Sequence, residues 1–325
     1  MKNICIVGYG AIGPLHASGI ANTKNGHLYA VCDINPTKIK LCQETYKNVI
    51  GYENFYEMLK DDAIDCVHIC TPHCLHYEMI TAALQAGKEV ISEKPVTIHK
   101  EDFDALRTNE NIDKLALVFQ NRLNPCTKML KSIIDEKKLG DIQAVKAILT
   151  WIRTKEYYEA DEWRGKWATE GGGVLINQAI HTLDLMSYLV GDIASVKANM
   201  ATYALNDTIE VEDTFSAYLK YASGITGIFF ATNAYVCNNF PDIEIRFANG
   251  VARYMDDRLY INGELVCQNV TATGKKAYWG TTHEALVQNY YDHNSCFSLP
   301  DAQNTMYTLF SLYESAKNGG KEVLL

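Results

Sequence analysis

The chain has 325 residues, 47% of them hydrophobic and 21% charged, and a formal net charge of −9. That length exceeds what one hydrophobic core usually serves, so two domains are expected; the acidic balance argues against the clustered Lys and Arg surface that nucleic acid demands. No apolar run reaches the ~20 residues that span a bilayer, and ten cysteines without an export signal read as reduced thiols of a cytoplasmic protein.

The first 120 residues alternate short apolar runs with amphipathic stretches, the pattern of βαβ units on a parallel sheet. Strands are predicted at Ile4–Val7, Leu28–Cys32, Cys66–Cys70, Glu89–Ser92 and Leu115–Phe119. Helices are predicted at Gly13–Ala21, Pro36–Tyr46, Phe55–Lys60, Leu75–Ala86 and Lys100–Asn109. Between the first strand and the first helix runs Gly8-Tyr9-Gly10-Ala11-Ile12-Gly13, a G-x-G-x-x-G turn. Its glycines permit a tight turn, a close approach to a pyrophosphate and close packing of the following helix. The second strand ends in Asp33, whose carboxylate can accept hydrogen bonds from an adenosine ribose and would repel a 2′-phosphate. NAD is therefore the expected cofactor over NADP, with Lys38 and Lys40 the cations nearest in sequence for a 2′-phosphate.

Residues 66–76 carry three Cys and three His, yet their spacing matches no zinc pattern; they read as a buried strand with small core thiols, and no metal is expected. Glu93-Lys94-Pro95 follows the strand Glu89–Ser92 at its C-terminal end, where open parallel sheets place their ligands. Lys94 there is either an exposed lysine or a cation that steadies a developing alkoxide, and Pro95 is a candidate for a cis bond.

After Gln120 the rhythm changes. A helix near Pro125–Lys137 leads to a long strand, Ile142–Ile152, and a polar aromatic loop over 153–170. In that loop Tyr157, Tyr158, Trp163 and Trp167 fit a sugar-binding surface and plain packing equally well. Gly171-Gly172-Gly173 then opens one helix over Val174–Val190, which places Asn177, His181 and Asp184 at i, i+4 and i+7 on one face. His181 is the natural proton acceptor for an alcohol, or else a satisfied structural histidine; Asp184 reads as an anchor. From Ala194 to Val270 strands with turn signals predict a mostly antiparallel open sheet, and helices at Thr282–Cys296 and Pro300–Asn318 close the chain. The predicted fold is α/β, with a Rossmann domain over 1–120 and a second α/β domain over 121–325 that binds substrate and oligomerises.

Gly8–Gly13, Asp33, Thr71-Pro72 with His76, Glu93-Lys94-Pro95, Trp163-Arg164-Gly165 and Gly171–Asp184 occur in one order. With Leu139-Gly140, Tyr278-Trp279-Gly280 and His283, they closely resemble the Gfo/Idh/MocA family of NAD(P)-dependent sugar and inositol dehydrogenases. The resemblance implies that Lys94 and His181 flank the reacting hydroxyl. It implies cofactor contacts from Thr71, Pro72, His76, Glu93 and Arg164, and substrate contacts from Trp163, Asn177 and His283. It also implies a small sugar or polyol substrate and a homodimer or homotetramer built on the C-terminal sheet. Many members carry aspartate four residues before the histidine, where this chain has Asn177. An NAD-dependent glycoside hydrolase is an alternative within the resemblance. A non-catalytic NAD-binding regulator is another, although such a protein has no need of Lys94 and His181.

Overall fold

Eleven elements alternate along the first part of the chain: β1 (Lys2–Val7), α1 (Gly13–Ala21), β2 (Gly26–Cys32), α2 (Pro36–Thr45), β3 (Ile50–Tyr52), α3 (Phe55–Leu59), β4 (Cys66–Ile69), α4 (His76–Gln85), β5 (Glu89–Ser92), α5 (Lys100–Arg107) and β6 (Leu115–Leu117). The computed structural model describes residues 1–269, 282–293 and 296–325. The six strands form a parallel sheet in the order β3-β2-β1-β4-β5-β6. Every residue of β4 is buried, so Cys66 and His68 are interior, as a strand covered on both faces requires. Local signals set the helix ends. Asn35 accepts a hydrogen bond from the Thr37 N–H ahead of Pro36, and α4 stops where Gly87 takes a left-handed φ of +77°. The short β3 is absent from the sequence prediction because its three residues are exposed or half-buried and form no apolar run.

The rest of the chain supplies α6 (Pro125–Asp135), β7 (Ile142–Thr150), α7 (Lys155–Glu159), α8 (Val174–Asn177), α9 (Ile180–Val190), β8 (Ile193–Ala201), β9 (Thr214–Tyr221), β10 (Thr226–Thr232), β11 (Asp242–Phe247), β12 (Gly250–Met255), β13 (Arg258–Ile261), β14 (Glu264–Gln268), α10 (Thr282–His293), α11 (Leu299–Lys317) and β15 (Val323–Leu324). A nine-stranded sheet runs β14-β13-β12-β11-β7-β10-β9-β8-β15. The β7–β10 pair is parallel and the other neighbours are antiparallel, so the sheet is mixed but mostly antiparallel. Burial alternates along β9, and α9 packs on β7.

Three expectations need correction. The loop predicted over 153–170 contains α7, whose Lys155 and Glu159 pair one turn apart. The single helix predicted over Val174–Val190 is two. The Gln178 and Ala179 N–H groups both reach the Val174 carbonyl, at 3.1 and 2.8 Å, before Leu183 resumes the ladder on Ala179. The chain divides into Met1–Gln120 with Thr282–Ala302, and Asn121–Thr281 with Gln303–Leu325, so the division is not a single cut at residue 120. In the first of these units α10 packs along α1, and Phe297 bridges Leu117 at the edge of the sheet. No helix among the described residues is long and apolar enough to cross a membrane.

Candidate active site

The glycine turn sits at the C-terminal end of β1, beside β4, where the strand order reverses. Gly8 has φ +89°, and a Cβ there would lie 2.6 Å from the Cys70 carbonyl oxygen; one at Gly13 would lie 2.5 Å from that of Gly8. A Cβ at Gly10 would meet nothing within 4 Å. The protein itself needs the outer two glycines, while Gly10 leaves backbone open to a ligand. No side chain caps the first turn of α1, which suits a phosphate at that helix end. Asp33 accepts the Tyr9 N–H at 2.7 Å through Oδ2 and the Asn35 N–H at 2.9 Å through Oδ1. The acid thus braces the turn, and each oxygen retains a lone pair for a ribose hydroxyl. These residues fit a dinucleotide.

On the next loops, buried His76 places Nδ1 2.6 Å from the Pro95 carbonyl and Nε2 2.9 Å from that of Thr71. Burial holds its pKa below the usual imidazole value, so the ring is neutral and its one N–H clasps either loop at a time. The Lys94–Pro95 bond is cis, and Lys94 is half-buried. Glu93 is turned inward at 5% exposure. Its Oε1 lies 3.2 Å from His16 Nε2 and 3.5 Å from His283 Nε2, and its Oε2 accepts the Lys94 N–H at 3.3 Å. Burial disfavours that charge, but His16 and His283 outweigh it and hold the carboxyl well below its usual range.

In the second unit, the triple glycine lets the backbone pass a buried acid. A Cβ at Gly173 would lie 1.9 Å from the Glu212 carbonyl. The Glu212 carboxylate accepts the N–H groups of Gly173 and Leu175 at 2.9 and 3.0 Å and the Tyr313 hydroxyl at 2.9 Å. Fully buried Glu170 accepts the Gly165 N–H and the Asn177 side-chain amide, each at 2.5 Å. Burial pushes both carboxyls up to about 7, against the pull of these donors. His181 stands half-buried in the first turn of α9. Asp184 forms a two-pronged pair with Arg122, at 2.8 and 2.6 Å, and accepts from Thr305. Asn177, His181 and Asp184 therefore do not share one continuous helical face, because the helix breaks at Gln178 and Ala179, between Asn177 and the other two.

Arg164 is held by its own loop: it pairs with Asp161 at 2.7 Å, donates to the Tyr157 carbonyl and lies over the Tyr157 ring at 4.3 Å. Half-buried Trp163 lies beside it, with its ring 5.5 Å from the guanidinium. Tyr158 and Trp167 pack with Leu205, Ile209 and Val211, so for these two the choice between sugar surface and packing falls to packing. Tyr278-Trp279-Gly280 lies outside the described residues. Among those described, no three His, Cys, Asp or Glu side chains are grouped to hold a metal ion. Sequence reasoning missed Glu170, Glu212, Arg122 and the partners of Glu93. The available signal was a charge or imidazole inside an apolar run, as in Ile209-Glu-Val-Glu and Cys66-Val-His68, which burial obliges to find a partner.

Residues 2–118 match the family model described as an oxidoreductase family with an NAD-binding Rossmann fold, and residues 127–253 match the Gfo/Idh/MocA C-terminal domain. The chain belongs to the Gfo/Idh/MocA family. It is an NAD-binding oxidoreductase with a Rossmann domain and a mostly antiparallel second sheet. Among relatives, a levoglucosan dehydrogenase of Pseudarthrobacter phenanthrenivorans is 26% identical over 286 residues, 76% of this chain and 72% of that protein. A myo-inositol 2-dehydrogenase of Thermotoga maritima is 23% identical over 240 residues, 69% of this chain and 66% of that one. The WlbA dehydrogenase from Bordetella pertussis, solved with NADH and UDP-GlcNAcA, superposes with a TM-score of 0.87 at 28% identity, over all of this chain and 97% of its own.

Proposed function

We propose that this Gfo/Idh/MocA member oxidises, reversibly, a secondary alcohol of a sugar, cyclitol or related polyol with NAD. The observation that supports this most is the likeness to WlbA along the whole chain, together with relatives named for carbohydrates and cyclitols. Gly8, Gly10, Ala11, Ile12 and Gly13 cradle the pyrophosphate, and Asp33 takes the adenosine ribose. When bound, NAD supplies the hydride acceptor that no side chain can. In this reading His181 takes the hydroxyl proton at a ring nitrogen, and the Lys94 ammonium steadies the oxygen as charge builds on it. Thr71, Pro72 and Arg164 serve the cofactor, while His76 and Glu93, expected to touch it, are buried on protein partners and brace its loops instead; Trp163, Asn177 and His283 serve the substrate.

The test is NADH formation, followed optically, with levoglucosan, myo-inositol and UDP-GlcNAcA as the first panel, and with NAD compared to NADP. Turnover of any of these with NAD preferred at least ~10-fold, about 1.4 kcal/mol, is the expected result. Release of a leaving group from a glycoside with no net NADH would replace the dehydrogenase reading with the hydrolase one.

We also assign the protein to a reducing cytoplasm, since all ten cysteines are free thiols. A homodimer or homotetramer through the outer face of the second sheet is part of the same reading. There Tyr218 on β9 pairs across strands with Ile228 on β10, both exposed, next to exposed Phe230. Light scattering after size exclusion decides it; a monomer at micromolar concentration would refute it.

A further inference from the structure

The first unit buries more titratable groups than the proposed reaction uses. His16 on α1 and His68 on β4 are 1% and 0% exposed, and their Nδ1 atoms lie 2.8 Å apart. His16 Nε2 reaches Glu93 at 3.2 Å, and His68 Nε2 lies 2.7 Å from the Tyr291 hydroxyl of α10. A close contact between two ring nitrogens needs one proton shared between them. An imidazolium at His16 satisfies the whole chain: Nε2–H donates to Glu93, and Nδ1–H donates to His68, whose own Nε2–H donates to the Tyr291 oxygen. A neutral His16 could fill the same bonds with the His68 and Tyr291 protons reversed, but it would leave the buried Glu93 anion without a cation at its 3.2 Å contact with His16.

The groups that face this pair are Cys70, His68, His283, Tyr291, His76 on the Glu93 side and the adjoining Lys94, with Cys66 behind Tyr291; Glu284 is tied to Ser18. Burial acts against charge on His16, yet its Cys70 and Glu93 neighbours hold it above the usual imidazole value. The Cys70 thiol is itself raised by burial, so near neutrality Glu93 is the counter-anion. His68, by contrast, is held well below the usual range by burial and by His16.

We propose that His16 and Glu93 form a buried ion pair, with His68 as its neutral acceptor, that fixes the Glu93-Lys94-Pro95 loop from within and so positions Lys94. His16, His68 and Glu93 are then positioning residues. The effect on turnover rests on the reading of Lys94 given above; the ion pair does not.

The test is NMR of the full chain with NADH bound, using 15N-histidine and 13C-lysine. The His16 signal, assigned through backbone connectivity to Leu15 and Ala17 in the parent protein, should show both nitrogens protonated near pH 7, while His68 keeps one. The Lys94 εCH₂ signal, assigned through Lys94→Arg, should move in Glu93→Gln and in His16→Gln. The double variant should lie nearer the parent than Glu93→Gln does, because removing both partners strands no charge. Turnover should fall ~10- to 100-fold in Glu93→Gln, with the NADH dissociation constant within about 3-fold of the parent. A singly protonated His16 near pH 7 overturns the proposal, even if every variant fails to fold. So does an unmoved Lys94 signal in both single variants. Full turnover in Lys94→Ala, with the NMR results as expected, would instead overturn the catalytic reading of the lysine and leave the pair standing.

Discussion

At the scale of single residues, the sharpest forecast concerns Lys94. Lys94→Ala should retain NADH binding and melting temperature while turnover falls ~100-fold or more, since one charge-stabilising donor is typically worth that much; a raised KM with kcat intact would reduce the lysine to a binding role. Asn177 has a second story. Its amide donates to Glu170 at 2.5 Å, so the asparagine is the donor that a neighbouring buried carboxylate requires. Asn177→Asp would set two carboxyls against each other, and one must keep a proton. We expect a loss of about 1–3 kcal/mol near pH 8, largely relieved near pH 5. Equal destabilisation at both pH values would show that geometry, not charge, is at stake. The residue types at the candidate site were legible in the sequence: Gly10, Asp33, Lys94 and His181 announce their chemistry by type and position. Their partners were not. Nothing in the local sequence tells that Glu170 lies against Asn177 or that Glu93 turns inward to His16 and His283, because those contacts join residues 7 to 190 positions apart.

At the scale of elements, the two glycine segments make opposite forecasts. Gly10→Ala adds a methyl where nothing lies within 4 Å, so thermal stability should hold while NADH affinity drops at least ~10-fold. Gly173→Ala drives a methyl onto the Glu212 carbonyl at 1.9 Å. It should destabilise the fold by several kcal/mol, of the order of 3, or prevent soluble expression. Calorimetry and fluorescence titration of both variants check the pair; a stable Gly173→Ala would mean that the α8 segment can shift. The parallel strands and the helices between them were readable because long runs of apolar residues with glycine or proline punctuation dictate them. The break between α8 and α9 was not. Residues 174–190 contain neither Gly nor Pro, and the interruption comes with tertiary bonds, Gln178 accepting from Asn233 at 2.9 Å and donating to Tyr157.

For the molecule as a whole, buried acids set the response to pH. Glu170 and Glu212 sit at about 7 in the fold against an ordinary 4.5. The folded state therefore binds more protons between those values, so the stability they contribute is complete below about 4.5 and lost as pH rises through about 7. Each accounts for on the order of 3 kcal/mol. His16, raised above the usual imidazole value, acts in the same sense as pH climbs past about 6.5. Glu93, held low, works in the other direction and loses its contribution as the solution turns acidic. Melting temperature should thus peak on the acid side of neutrality and decline towards pH 8, and Glu170→Gln should flatten that decline; an unchanged slope would assign it elsewhere. The division of the chain has one more consequence, for synthesis. α10 packs on α1 within a unit whose other part ends at Gln120, so the apolar face it covers stays bare on the ribosome until residues 121–281 have been made. At ~5–20 residues per second that is a wait on the order of 10–30 s. The nascent Rossmann sheet is a natural client for chaperones during that interval, and α10, made close to the end of the chain, completes the first unit to be started.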